Sequence, residues 1–492
     1  MNKLKFRQMY EVAGVLPISA YYENAEQFTY RLEEIGFYGD KNYLWFHEKG
    51  LGKACYEEAE MSRSSEVAYK IFTDKELFNK FLQDMGQAIE NIKTFSARAA
   101  LTKYEGLSLE EISSWEFERR EQEANIFTYY LATQPQNLTK IEEQLKKEIG
   151  LLITDPILTN EVLGLLTADE RISKTAEEEL SWLNIVLKSK MGRTVNKDIE
   201  GHFSKYKYLM LGDMEWDPKI DTLYSKLKSD MTLEREEILL RIRDLERHPV
   251  ELRLKKKLIL QKHKLSKTAI ELGDIISKIA HIRFVMRVEG FLPFFYLGIG
   301  ITTELCMRLN LTQKELYYCT LPELKSLMVG APIISKKELQ IRMTDDVYLM
   351  AIEDGKVRFI FGEEAKKVFN NLAPPEDILG LESVKGMVAM PGEVVGEAFV
   401  FSWEDNLEDA IENLPKDAIL VVGQTRPQIV LLIRKCKGIV TDEGGTMSHA
   451  AIVAREFNMP CIVGTKNATK LFKSGQKIKL DATNGVASIE RE

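Results

Sequence analysis

Nine residues, Thr441-Asp442-Glu443-Gly444-Gly445-Thr446-Met447-Ser448-His449, combine the side chains and backbone freedom that phosphoryl chemistry needs. A β-branched run, Gly438-Ile-Val-Thr441, leads into Gly444-Gly445, where the chain can turn sharply and a ligand can approach the backbone with no Cβ in the way. Ser448 then reads as the N-cap of a helix begun by Ala450-Ala-Ile-Val-Ala454. His449 would stand in the first turn, beside N–H groups that have no acceptor within the helix. Those donors and the positive end of the helix dipole favour an anion, and phosphate suits both. An imidazole near its ordinary pKa of about 6.5 keeps a lone pair at neutral pH, so His449 is a candidate nucleophile toward phosphorus that would hold the group as a phosphoramidate. A solitary histidine is more often a packing or capping residue. Strand, double glycine, Ser-His and alanine-rich helix together shift the weight to the carrier.

The segment Thr441 to Thr465, TDEGGTMSHAAIVAREFNMPCIVGT, closely resembles the swivelling phosphohistidine domain of the phosphoenolpyruvate-utilising enzymes. The likeness extends upstream to VKGMVAMPGEVVGEAFVF (384–401) and AILVVGQTRPQ (418–428), and is nearest in style to the rifampicin phosphotransferase and phosphoenolpyruvate synthase branches. It implies that His449 is the phosphorylated residue, that Gly444, Gly445, Thr446 and Ser448 position the phosphate, and that Thr425 and Arg426 lie on a neighbouring loop. Many relatives carry Thr two residues before the histidine, where this chain has Met447. More weakly, GHFSKYKYLMLGDMEW (201–216) and LNLTQKELYYCTLPELKSLMVG (309–330) are similar to segments of a helical substrate domain. In such enzymes the histidine is charged by an ATP-grasp domain or a phosphoenolpyruvate-binding barrel, and neither is recognised here. The resemblance therefore implies charging by a separate ATP-grasp-type protein that brings ATP and Mg²⁺.

Other residues offer chemistry with less support. His202, near Tyr206, Tyr208 and Trp216, could line a substrate pocket, although packing of such amphipathic rings is the commoner outcome. Arg283 and Arg287 lie one helical turn apart and suit bidentate recognition of a phosphate, with an ion pair as the equal alternative. Asp442 and Glu443 could orient the imidazole or hold Mg²⁺. No metal ligand is assigned beyond that possibility.

These groups need elements to hold them. To about residue 330 the charged and apolar residues alternate at helical spacing, and Pro249 should break or kink the long pattern from 232 to 288 into an antiparallel pair. Residues 343–361 turn strand-like, with Asp354-Gly355 at a hairpin. The polar stretch with Pro374-Pro375 reads as a linker. Beyond it, short β-branched runs separated by glycines predict strands at 397–402, 418–423, 438–442, 461–464, 477–482 and 486–490, with helices at 425–436 and 448–457.

The expected architecture is multidomain α and α/β: a mostly helical, substrate-binding domain over 1–365, a linker over 366–382 and a β/β/α swivelling phosphohistidine domain over 383–492. A charge of 67 − 75 = −8 argues against a nucleic-acid binder. The longest uncharged run near Gly290 is too short to span a bilayer. Five scattered cysteines suit a reducing cytoplasm. The function expected is a cytoplasmic phosphotransferase component that passes a phosphoryl group from His449 to a small-molecule acceptor. The alternative is a non-catalytic regulatory or binding protein that retains the fold.

Overall fold

The computed structural model describes residues 4–13, 30–210, 219–331, 334–373, 380–402, 405–425, 429–445 and 448–490. The chain forms two compact units, Met1–Ile141 with Ile282–Asp377, and Glu142–His281 with Ile378–Glu492.

The first unit carries an antiparallel sheet of β1 (Phe6–Ala13), β2 (Tyr43–Glu48), β3 (Leu51–Glu57), β4 (Val347–Glu353) and β5 (Lys356–Phe361), ordered β1-β3-β2-β4-β5. The Asp354-Gly355 hairpin forms as expected, with φ of 50° and 75° at its two turn residues. Strands β1 to β3 correct the helical reading of the N-terminal region. Tyr43 to Phe46 are all buried, so β2 lacks the period-two alternation that marks a half-exposed strand, and such a run cannot be told from a buried helix by pattern. Residues 366–372, expected to begin the linker, lie in the helix Gly362–Leu372. Ala365, Val368, Phe369 and Leu372 recur at helical spacing and pack on the face of β2 and β4, where Phe369 stacks on Phe46 with centroids 4.3 Å apart. The helices Lys75–Leu101, Leu109–Ala132 and Leu292–Leu309 make a second core in this unit. Leu292–Leu309 is preceded by a π-helical turn, Met286–Phe291.

In the second unit the expected break at Pro249 is absent: Arg235–His263 is one helix with Pro249 inside it. Proline withholds only its own N–H, and the break falls instead at Lys264, whose φ is 48°, before Ser266 caps the next helix, Lys267–Val285. The unit also holds an eight-stranded sheet: β6 (Ser383–Lys385), β7 (Met387–Met390), β8 (Glu393–Phe401), β9 (Ala418–Val422), β10 (Gly438–Thr441), β11 (Cys461–Val463), β12 (Lys477–Asp481) and β13 (Val486–Ile489). The order is β6-β13-β12-β8-β9-β10-β11-β7, with β8 to β11 mutually parallel. All six predicted strands are present, and β6 and β7 are additional.

Strand β9 is buried on both faces. Ala418, Leu420 and Val422 meet the helices Val430–Ile433 and His449–Glu456, while Ile419 and Val421 meet Ala468 and Phe472. Small side chains at Ala450, Ala451 and Ala454 let the His449 helix lie close on the sheet. All five cysteines are buried and unbridged, and burial pushes each of their thiols up to about 11 or 12. Among the described residues, no helix is long and apolar enough to cross a membrane.

Candidate functional site

Parallel strands deliver their following loops to one edge, and in open α/β sheets ligands bind at that carboxyl edge. Here β9 leads to Thr425, β10 to Asp442 through His449, and β11 to Thr465. Backbone bonds lace the three loops: Glu443 N–H donates to Gly423 O (2.9 Å), and Thr465 N–H donates to Thr441 O (3.0 Å). Gly444 adopts φ of 106°, and a Cβ there would stand 2.7 Å from the Cβ of Ser448, so only glycine lets the loop fold over the helix start.

Ser448 is the N-cap of the helix His449–Glu456, its hydroxyl accepting from Ala451 N–H at 3.3 Å. The first helical residue is therefore His449, half-buried and beside the N–H groups of the opening turn. Nδ1 of its ring lies 2.9 Å from Oγ1 of Thr425, which is buried. Thr425, Gly444, Gly445, Ser448 and His449 thus come together, with the Ser448 N–H donating to Gly445 O at 3.0 Å. Arg426 and Thr446 lie outside the described residues, as do Met447 and Trp216.

Asp442 is held by two threonines. Its carboxylate accepts from Thr465 Oγ1 (3.1 Å) and from both the N–H and the hydroxyl of Thr469, and burial pushes its pKa above the usual carboxylate value. This side chain ties the loop after β10 to the loop after β11. Sequence reasoning missed Thr465 and Thr469 because they stand more than 20 residues downstream and nothing local marks them. Glu443 contributes its backbone, whose carbonyl accepts from Gly464 N–H at 3.4 Å. No group of three or more His, Cys, Asp or Glu suited to a metal ion occurs among the described residues. Further along the helix, burial lowers the Arg455 guanidinium to about 10, and its Nε donates to Ala389 O at 3.2 Å.

The other predicted residues join none of these contacts. His202 is buried, with Nδ1 3.0 Å from Ser181 Oγ and Nε2 3.1 Å from Glu178 Oε1, and its ring packs between Trp182 and Tyr206. Arg283 and Arg287 belong to the first unit. Arg283 donates to Tyr130 O and Thr133 Oγ1, both at 3.1 Å, at the end of the helix Leu109–Ala132.

Residues 414–485 match the family model described as PEP-utilising enzyme, mobile domain. The chain is 37% identical over 142 residues to the rifampicin phosphotransferase of Bacillus cereus, a match covering 26% of this chain and 16% of that protein. With the phosphoenolpyruvate synthase of Pyrococcus furiosus it shares 44% identity over 103 residues, covering 21% and 12%. With the probable phosphoenolpyruvate synthase of Archaeoglobus fulgidus it shares 34% over 142 residues, covering 28% and 18%. The matched region thus spans less than a fifth of each of these relatives.

Proposed function

We propose that this chain, a member of the phosphoenolpyruvate-utilising enzymes through its mobile domain, is a phosphotransferase component that carries a phosphoryl group on His449 and delivers it to a small-molecule acceptor. The observation that carries the reading is the Thr425–His449 contact at the start of a helix. A neutral imidazole has one N–H and one lone pair. With Thr425 Oγ1 accepting the Nδ1 hydrogen, the lone pair lies on Nε2. Nε2 attacks phosphorus, the bond from phosphorus to the donor oxygen breaks, and the donor keeps the bonding pair. The ring becomes formally cationic, which the Thr425 oxygen stabilises through the same hydrogen. Reversal onto an acceptor hydroxyl or enolate oxygen then expels a neutral imidazole. Positioning and electrostatics supply most of the rate, as is usual for phosphoryl transfer.

Near His449, the Asp442 carboxylate is engaged by two threonines. We assign Mg²⁺ and ATP to a separate ATP-grasp-type partner. The test is to incubate the full chain with γ-labelled ATP and a cytosolic extract of the source organism, then map phosphopeptides under alkaline conditions. Acid-labile label on the His449 peptide, absent from His449→Ala, is expected. Label that persists in His449→Ala overturns the assignment, and absence of label from the wild type favours the regulatory alternative.

A further inference from the structure

Arg287 stands in the π-helical turn Met286–Phe291, one turn beyond Arg283, and such turns recur at functional sites. Neither arginine forms an ion pair among the described residues. Three carboxylates on these elements are already matched: Glu289 with Lys93 at 3.0 Å, and Glu116 and Glu123 with Arg119 and Arg120. Arg283 meets neutral groups, the carbonyl and phenol of Tyr130, the hydroxyl of Thr133 and the amide oxygen of Gln134 (3.4 Å), and its guanidinium lies 4.3 Å over the Tyr130 ring. Burial opposes ionisation of the Tyr130 phenol, yet Arg283 and Arg287 together hold it below the ordinary tyrosine value. Two like charges beside one phenol, without a counter-ion, favour an anion.

A second observation comes from the start of the helix Pro135–Gly150, just beyond Tyr130. The side-chain oxygens of Gln136 and Asn137 are buried there without a hydrogen-bond partner, although Asn137 Nδ2 donates to Leu131 O and Ala132 O. Buried acceptors are normally satisfied, so these two oxygens at one helix start are open to a donor from solvent or a ligand. Phe291, edge-on to Tyr130 with centroids 5.4 Å apart, adds an apolar wall.

We propose that Arg283, Arg287, Tyr130 and residues 133–137 bind a small hydroxylated organic oxyanion. Its carboxylate or phosphate sits on the guanidinium groups and its hydroxyl donates to the amide oxygens. Binding stands independently of phosphoryl transfer; identifying the ligand as the phosphoryl acceptor rests on the function proposed above.

Titration calorimetry on the full chain with glycerate, glycerol 3-phosphate and glycerol tests this. One anion should bind while glycerol does not, and which anion binds separates carboxylate from phosphate. Arg287→Gln should weaken binding by about tenfold or more, and His449→Ala should leave it unchanged. Failure of both anions to bind at about 10 mM, wild-type affinity in Arg287→Gln, or loss of binding in His449→Ala would overturn the site. Should Arg287→Gln fail to fold, the wild type still decides. Bound anion must raise the pH at which the tyrosinate absorbance assigned by difference from Tyr130→Phe appears, and an unmoved band counts against the proposal. Binding that persists in a chain whose His449 takes no label would retain the site and remove only its link to the acceptor.

Discussion

Thr425 Oγ1 and His449 Nδ1, 24 residues apart in sequence, lie 2.9 Å apart at the carboxyl edge of adjacent parallel strands. In the phosphoryl-transfer reading proposed above, Thr425 accepts the Nδ1 hydrogen and leaves Nε2 to attack. Thr425→Val keeps the shape of the side chain and removes the hydroxyl. Initial rates of His449 labelling should fall about tenfold, the equivalent of one hydrogen bond of roughly 1.4 kcal/mol, while Thr425→Ser stays near wild type. Equal rates in both variants would dismiss the positioning role.

Gly444 and Gly445 should respond unequally to alanine. At Gly444 the new Cβ meets Ser448 in a backbone conformation that L-residues avoid, whereas at Gly445 it would lie 3.4 Å from the flexible end of Met387. Gly444→Ala is expected to cost about 1–3 kcal/mol and to abolish most labelling; Gly445→Ala should cost under about 1 kcal/mol. Urea denaturation of the two variants checks the order.

His202 should behave as a core residue. With both ring nitrogens engaged by Ser181 and Glu178, His202→Ala opens a cavity and strands two polar partners. A loss of about 2–4 kcal/mol is expected, with His449 labelling of the folded protein unchanged at low temperature. A selective loss of labelling with normal stability would instead implicate the ring in the site.

Asp40 supplies a pH dependence. Burial raises its pKa to about 7, against the hydrogen bond that Ser64 donates at 3.0 Å, and Glu60 adds to the rise. Because the folded value exceeds the unfolded one, the native state holds the proton. The stabilisation is complete below about pH 4 and is lost as pH rises toward 7, by an amount on the order of 4 kcal/mol. Asp40→Asn cannot titrate, so its stability relative to wild type should increase between pH 5 and pH 8 in denaturant melts.

What the sequence made legible was local. The strand, double glycine and capped helix around His449 follow from backbone freedom at Gly444 and the Ser448 cap, each written within a few residues. The Asp354-Gly355 hairpin is equally local. Strand β2 was hidden because burial on both faces erases the alternation. The Asp442–Thr469 tie was hidden because its partners meet only through the order of the sheet. Pro249 misled for the opposite reason: a strong local signal gave way to the continuous helix around it.

The burial of every native thiol has a practical reach. With each thiol held far from its reactive thiolate form, the folded protein should be inert to maleimides. Cysteines introduced at exposed positions such as Lys80 and Lys473 would then be its sole attachment points. Spin labels or dye pairs placed there would test, in one intact molecule, whether the distance between those two positions changes when phosphoryl donor is added.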